Sequence, residues 1–196
     1  TLLEMTLARL RECRVDEVII NVHHFADMVV EYLEAKDNFG MHIEVSREHS
    51  LLDTGGGLRE ASWFFLDDPG RIDDPFILHN VDVLSTIDLE RMMQFHIDHQ
   101  ALATLAVQDR ETSRYLIFDE DNQLCGRRVK GEGKAEIVRA ASNPTELAFT
   151  GIHVISPRLL PMMKHRGAFS IIDAYLDLAS SERRLLAFRA DEYSWR

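Results

Sequence analysis

The sequence predicts an α/β fold: a doubly wound, mostly parallel sheet that carries a β-rich antiparallel insert in its second half. Three observations lead there. Short apolar runs such as Glu17-Val18-Ile19-Ile20-Asn21-Val22 and Phe76-Ile77-Leu78-His79 show the continuous hydrophobicity of strands covered on both faces. They alternate with stretches of helical period, which is the mark of parallel strands joined by helical crossovers. Beyond Asp109 the rhythm changes to closely spaced strands with turn signals and little helix between them.

Taken in order, residues 2–13 have helical spacing with Leu3, Leu7 and Leu10 on one face, and Asp16 leads into the strand Glu17–Val22. Ala26–Ala35 returns to a helical period with Met28, Val29, Tyr32 and Leu33 inward. A short strand at residues 42–46 precedes a loop ending in three consecutive glycines. The helix after them carries Leu58, Ala61 and Phe65 and breaks at Asp67-Asp68-Pro69-Gly70. Phe76–His79 is a strand ending at Asn80-Val81-Asp82; residues 89–99 form a helix capped by Asp88, and Ala103–Gln108 the next strand. Strands follow at residues 115–118, Leu124–Val129 and 147–155, with a turn near Asp121-Asn122. Pro157 opens a short helix, residues 171–178 form another, and residues 184–188 a last strand. The expectation is one continuous Rossmann-like unit with a cleft between the parallel sheet and the insert, where such folds bind ligands. The chain opens inside a helical pattern at Thr1 and stops at Arg196, so it reads as a piece of a longer protein.

With 196 residues, 45% apolar and 28% charged, the chain has enough hydrophobic surface for one cored domain and lacks the composition of a disordered or fibrous protein. Acidic residues number 33 against 22 basic, for a formal charge of −11, and no basic stripe reverses this locally. Nucleic acid and anionic membranes are therefore excluded as partners. No apolar run approaches the roughly 18 residues that span a bilayer, and no signal peptide is recognised. Cys13 and Cys125 are far apart, so reduced thiols and a cytoplasmic setting are expected.

Three segments can carry chemistry. In Leu52-Asp53-Thr54-Gly55-Gly56-Gly57-Leu58 the glycines remove every Cβ, so backbone can approach a base or ribose and the N–H groups of the new helix can face a ligand. The plain alternative is a flexible turn with Thr54 as N-cap. Asp82 follows a strand whose carboxyl end opens into the binding crevice, where a carboxylate can hold Mg²⁺ or simply cap a turn. Gly151, within Phe149-Thr150-Gly151-Ile152, marks either a bulge or a close ligand approach, and Thr150 could donate to a sugar hydroxyl. His96 and His99 share a helix face without a third ligand, so zinc is not expected, and His23-His24 reads as loop-stabilising. Cys125 sits in a turn-prone polar segment, and no Gly-x-Ser-x-Gly elbow occurs.

Val18-Ile19-Ile20-Asn21-Val22-His23-His24, Leu52 to Gly57, Asn80-Val81-Asp82-Val83, Phe149 to Ile152 and Tyr193 to Arg196, in that order, resemble the sugar-phosphate nucleotidyltransferases. Within that family the sequence is similar to the mannose-1-phosphate guanylyltransferase and N-acetylmuramate-1-phosphate uridylyltransferase branch. The resemblance implies that an NTP (GTP or UTP) and a sugar 1-phosphate give an NDP-sugar and pyrophosphate. Residues 1–109 would be the nucleotide-binding part and residues 110–196 the sugar-phosphate-binding part. Thr54, Gly55, Gly56, Gly57 and Asn80 would bind the nucleotide, and Asp82 would be the catalytic, Mg²⁺-binding aspartate. Arg114, Tyr115, Thr150, Gly151 and Asp173 would line the sugar-phosphate side. The family's first strand, its Gly- and Arg-rich phosphate loop and its catalytic Lys precede what is present here, and its second metal aspartate would follow Trp195. Gly131-Glu132-Gly133-Lys134 does not match the family's Glu-Lys-Pro sugar-contacting segment. The residues given are therefore expected to be inactive alone. Two other readings stand beside this one: a metal-dependent glycosyltransferase, disfavoured because Val81 occupies the middle of Asn80-Val81-Asp82 where an Asp-x-Asp pair is needed, and a non-catalytic nucleotide-sugar-binding relative.

Overall fold

A computed structural model describes residues 1–131 and 133–195; Glu132 and Arg196, the latter closing the Tyr193 segment singled out above, lie outside it. The elements are α1 (Leu2–Glu12), β1 (Glu17–Val22), α2 (Ala26–Ala35), β2 (His42–Arg47), α3 (Asp53–Glu60), α4 (Trp63–Leu66), β3 (Phe76–His79), α5 (Leu89–Asp98), β4 (Ala103–Gln108), β5 (Arg114–Phe118), β6 (Leu124–Val129), β7 (Glu136–Ile137), β8 (Thr145–Ile155), α6 (Ile171–Ser180) and β9 (Leu185–Arg189). The predicted α/β class holds.

The main sheet has seven strands in the order β7-β6-β5-β8-β4-β9, with β3 also paired to β8. β8 pairs along one flank with β4 and along the other with β5 through its first half and β3 through its second. All three run antiparallel to it, while β4 and β9 are parallel. Five strands, β3, β4, β5, β7 and β9, therefore point one way, with β6 and β8 opposed. β1 and β2 form a separate parallel pair.

β4 is buried along its whole length because both of its faces are covered. Leu105 and Val107 pack with Tyr175 and Leu178 of α6; Ala106 packs with Met92 of α5 and with Leu7 and Leu10 of α1. The three- and four-residue spacing of Leu3, Leu7 and Leu10 is what makes α1 one-sided. Burying Leu7 and Leu10 is worth about 2 kcal/mol each. Two buried polar pairs cross these layers: His96 Nδ1 lies 2.9 Å from Thr104 Oγ1, and His153 Nδ1 lies 2.8 Å from the Tyr175 hydroxyl.

Several expectations are corrected. The glycines do not form a loop: α3 begins at Asp53, ahead of them, with Leu52 rather than Thr54 at the N-cap. A mid-helix glycine costs about 1 kcal/mol against alanine, so packing has to explain the helix. A Cβ on Gly55 would lie 2.6 Å from Phe169 Cδ2 and 2.8 Å from the Phe169 carbonyl oxygen, and one on Gly56 would overlap the Gly167 carbonyl oxygen. A Cβ on Gly57 meets only side-chain ends, Glu48 Oε1 and Asn21 Nδ2. Met28 is 65% exposed, not inward, and only Leu33 of α2 is fully buried. Cys125 lies in the buried part of β6 instead of a polar turn, and both cysteines are free. β7 is too short to show a pattern in sequence.

β1 is only half-covered, against the prediction of burial on both faces. Among the described residues its partner is β2 on one edge, and β3 pairs only with β8. The other edges of β1 and β3 border a single cavity of about 1550 Å³, which both strands line along their lengths. No helix among the described residues is long and apolar enough to cross a membrane.

Two stability predictions arise here. Gly56→Ala should lower the urea midpoint by the equivalent of about 2–3 kcal/mol because a backbone carbonyl must move, whereas Gly57→Ala should cost clearly less because Glu48 and Asn21 can swing aside. Equal costs would refute the packing argument. Burial without a charged partner lowers the His96 pKa from 6.5 to about 4. The unfolded chain takes up the proton first, so this contribution is whole above pH 6.5 and is lost as pH falls toward 4, up to about 3 kcal/mol. His96→Gln should accordingly lose less stability than the native chain between those pH values in paired denaturant titrations.

Candidate functional site

The carboxyl ends of β1, β3 and β4 come together on one side of the molecule. β1 runs into His23 and His24, whose rings are 4.4 Å apart, and His23 Nδ1 is fixed at 3.0 Å from the Glu48 carbonyl. This is the loop-stabilising role the sequence suggests. The other Glu48 feature is its carboxylate, which accepts the Leu52 N–H at 3.1 Å and holds the entry to α3. β3 runs into Asn80, Val81 and the exposed Asp82. Asn80 donates its N–H to the Gly151 carbonyl at 3.2 Å, and its carbonyl accepts from His79 Nδ1 at 2.8 Å and from the Val83 N–H at 3.1 Å.

Of the predicted nucleotide-binding residues, Thr54 and Asn80 line the large cavity, together with Asn21, Glu48, Asp53 and Val81. The turn bearing Asp82 is thereby brought to the same cavity as the start of α3. The glycines are placed differently from the expectation that their N–H groups face a ligand: Gly55 and Gly56 donate to the Phe169 carbonyl at 3.0 and 3.3 Å, and Phe169 returns its N–H to the Leu52 carbonyl at 3.0 Å. Thr54 donates its N–H to its neighbour Asp53 at 2.6 Å. The loop before α6 thus occupies the amino end of α3.

The predicted sugar-phosphate residues do not line that cavity. Gly151 has φ +85° and coincides with a register shift between β4 and β8, so the bulge reading holds. A Cβ there would approach Asn80 Nδ2 at 3.0 Å. Thr150 is fully buried and donates its hydroxyl to the Ala106 carbonyl at 3.0 Å, so the expected donation to a sugar is corrected: that proton is used in the sheet. Asp173 lies in the first turn of α6 and accepts from Arg127 Nη1 at 2.5 Å, while Arg127 also reaches Glu136 at 2.8 Å. Arg114 is exposed at the start of β5, and the Tyr115 hydroxyl accepts the Thr112 N–H at 3.2 Å.

Sequence reasoning missed Arg110. It follows the carboxyl end of β4, its guanidinium carbon sits 3.9 Å from the Trp195 ring centroid, and the indole N–H donates to the Thr150 carbonyl at 2.8 Å. The rule that placed Asp82 at a strand's carboxyl end applies equally to Asp109-Arg110 and could have found it.

No group of three or more His, Cys, Asp or Glu residues among the described residues is arranged to hold a metal. The His96 and His99 rings are engaged by Thr104 and by the Phe95 carbonyl. Asp82 is a single exposed carboxylate, a donor of the type that would suit a hydrated divalent cation rather than a closed protein cage. Its charge reaches the half-buried His79. Burial pushes that ring's pKa down, the Asn80 carbonyl bond opposes this, Arg9 adds to the lowering, and Asp82 raises it.

The chain is 27% identical over 171 residues to a UTP–glucose-1-phosphate uridylyltransferase of Synechocystis sp., covering 81% of this chain and 42% of that protein. It is 25% identical over 185 residues to a mannose-1-phosphate guanyltransferase of Yarrowia lipolytica, covering 91% and 47%. The chain thus spans under half the length of these relatives. Among solved structures, HddC from Yersinia pseudotuberculosis complexed with GMP-PN superposes with a TM-score of 0.73 at 16% identity, covering all of this chain and 78% of that one. A putative glucose-1-phosphate thymidylyltransferase from Bacillus anthracis gives a TM-score of 0.75 at 15% identity, covering 99% and 75%. The nucleotidyl transferase family model matches residues 1–195, and the chain belongs to that family.

Proposed function

We propose that the protein containing this chain joins a nucleoside triphosphate, GTP or UTP, to a sugar 1-phosphate, giving an NDP-sugar and pyrophosphate. The observation that carries this reading is the shared cavity: its walls hold Asn21 from β1, Thr54 from the start of α3 and Asn80 from the end of β3, and Asp82 lies two residues beyond Asn80. Family membership and the names of the relatives support the same chemistry.

In this reading the base and ribose enter between β1 and the start of α3, and the phosphates extend toward Asp82. The sugar-phosphate oxygen attacks the α-phosphorus in line with departing pyrophosphate, and the protein contributes positioning and charge neutralisation. Mg²⁺ held by Asp82 would supply part of that neutralisation. The free edges of β1 and β3 bear on the upstream strand that the family resemblance implies. Both border the cavity, and both offer unpaired backbone groups to a strand carrying the phosphate loop.

Pyrophosphate release with GTP or UTP and a series of sugar 1-phosphates tests this. Residues 1–196 alone should turn over little, the same chain extended upstream through the phosphate loop should be active, and Asp82→Asn in the active protein should lower kcat by about a hundredfold or more. An extended protein that releases no pyrophosphate overturns the reading. Undiminished turnover by Asp82→Asn removes Asp82 from the mechanism.

A further inference from the structure

On the side of β3 that packs against α1 lies a second pocket, of about 320 Å³. Its walls include Thr6 and Arg9 from α1, His79 from β3, the segment from Val83 to Thr86, and Trp195. Three buried polar atoms in these walls have no hydrogen-bond partner among the described residues: Thr6 Oγ1, Arg9 Nη1 and His79 Nε2. Buried polar groups of this kind are ordinarily hydrogen-bonded, so three in one pocket call for an explanation.

Their chemistry is complementary. Arg9 donates through Nη2 to the Ile87 carbonyl, which pins the guanidinium and leaves Nη1 directed elsewhere. Among the described residues Arg9 has no direct ion pair, and only Cys13 and Glu12 act on its charge. His79 Nδ1 faces a carbonyl and must carry the hydrogen, so in the neutral ring Nε2 is an acceptor. The pocket therefore presents a cationic donor, a hydroxyl that can donate or accept, and a ring nitrogen that accepts.

We propose that this pocket binds inorganic phosphate: anionic oxygens take the Arg9 Nη1 and Thr6 hydroxyl hydrogens, and the P–O–H group donates to His79 Nε2. Near neutral pH inorganic phosphate retains such a hydrogen, whereas sulfate has none and a phosphomonoester has largely lost its own. The same three atoms therefore distinguish the free anion from its close analogues. The site stands apart from the transferase reading, since it needs neither nucleotide nor metal.

Inorganic phosphate titrated into the purified protein, followed by ³¹P line broadening and calorimetry at constant ionic strength, tests the proposal. Saturable binding is expected, weakened about tenfold or more by Arg9→Gln and by Thr6→Val, a near-isosteric change suited to a buried site. Sulfate and a simple phosphomonoester should each bind about tenfold more weakly than phosphate. The proposal is overturned by absence of saturable binding, by equal affinity for sulfate, or by phosphate binding that both variants leave unchanged while circular dichroism shows them folded.

Discussion

The bulge at Gly151 is the constraint on which the arrangement of this molecule depends. β8 must lie against β4 on one edge while serving first β5 and then β3 on the other, and the change of neighbours coincides with the register shift there. At φ +85° a side chain is strained, and a Cβ would also press on Asn80 and Val83. With glycine in place, the Gly151 carbonyl accepts the Asn80 N–H and fixes where the chain leaves β3. The carbonyl beside it, of Thr150, holds the Trp195 indole. The position of Asp82 is thus set by backbone bonds rather than by its own side chain, which leaves the carboxylate free to meet a ligand.

A second junction joins the two halves of the chain. The amino end of α3 and the segment before α6 exchange three backbone hydrogen bonds through Leu52, Gly55, Gly56 and Phe169, and Arg59 Nη1 donates to the Met163 carbonyl at 2.5 Å. Contact this close is possible only where Cβ atoms are absent, so Gly55 and Gly56 are a packing requirement in the first place. Closeness to a nucleotide follows indirectly, because the same junction orients Asp53 and Thr54 into the cavity wall.

Most elements were legible because their residues obey one rule at a time. Glu17–Val22, Ala26–Ala35, Phe76–His79, Ala103–Gln108 and Leu124–Val129 have the predicted boundaries, each being a run of one period between clear breakers. The failures occur where a distant segment decides. Nothing local to Gly55 announces that Phe169, more than a hundred residues away, will accept its N–H, so loop and helix were indistinguishable there. Thr150 reads as a sugar donor because it stands beside Gly151, where ligand approach and bulge are both open, yet its hydroxyl donates to the distant Ala106 carbonyl. Met28 satisfies the helical period of α2 and is still exposed, whereas Leu33 of the same helix is buried in the cluster that holds Leu7 and Leu10. In the site, strand-end position was enough to single out Asp82 and, applied once more, reaches Arg110.

The charge distribution shows what this part of the protein can and cannot do by itself. The amino end of α3, the natural anion-binding element, has already given its donors to Asp53 and Phe169. The arginines that line the large cavity are Arg14 and Arg71, both near the amino ends of the strands, and Arg71 is paired with Glu17 at 2.6 Å and with Asp74 at 3.7 Å. At the carboxyl ends the walls offer Asn21, Glu48, Asp53 and Asn80, with His23, His24 and His79. These groups can recognise a base or a ribose, but they leave a triphosphate's charge uncompensated in a chain of net charge −11. In the proposed reaction the neutralising cations would come from beyond these walls: from a metal at Asp82 and from the basic phosphate loop that the family resemblance implies.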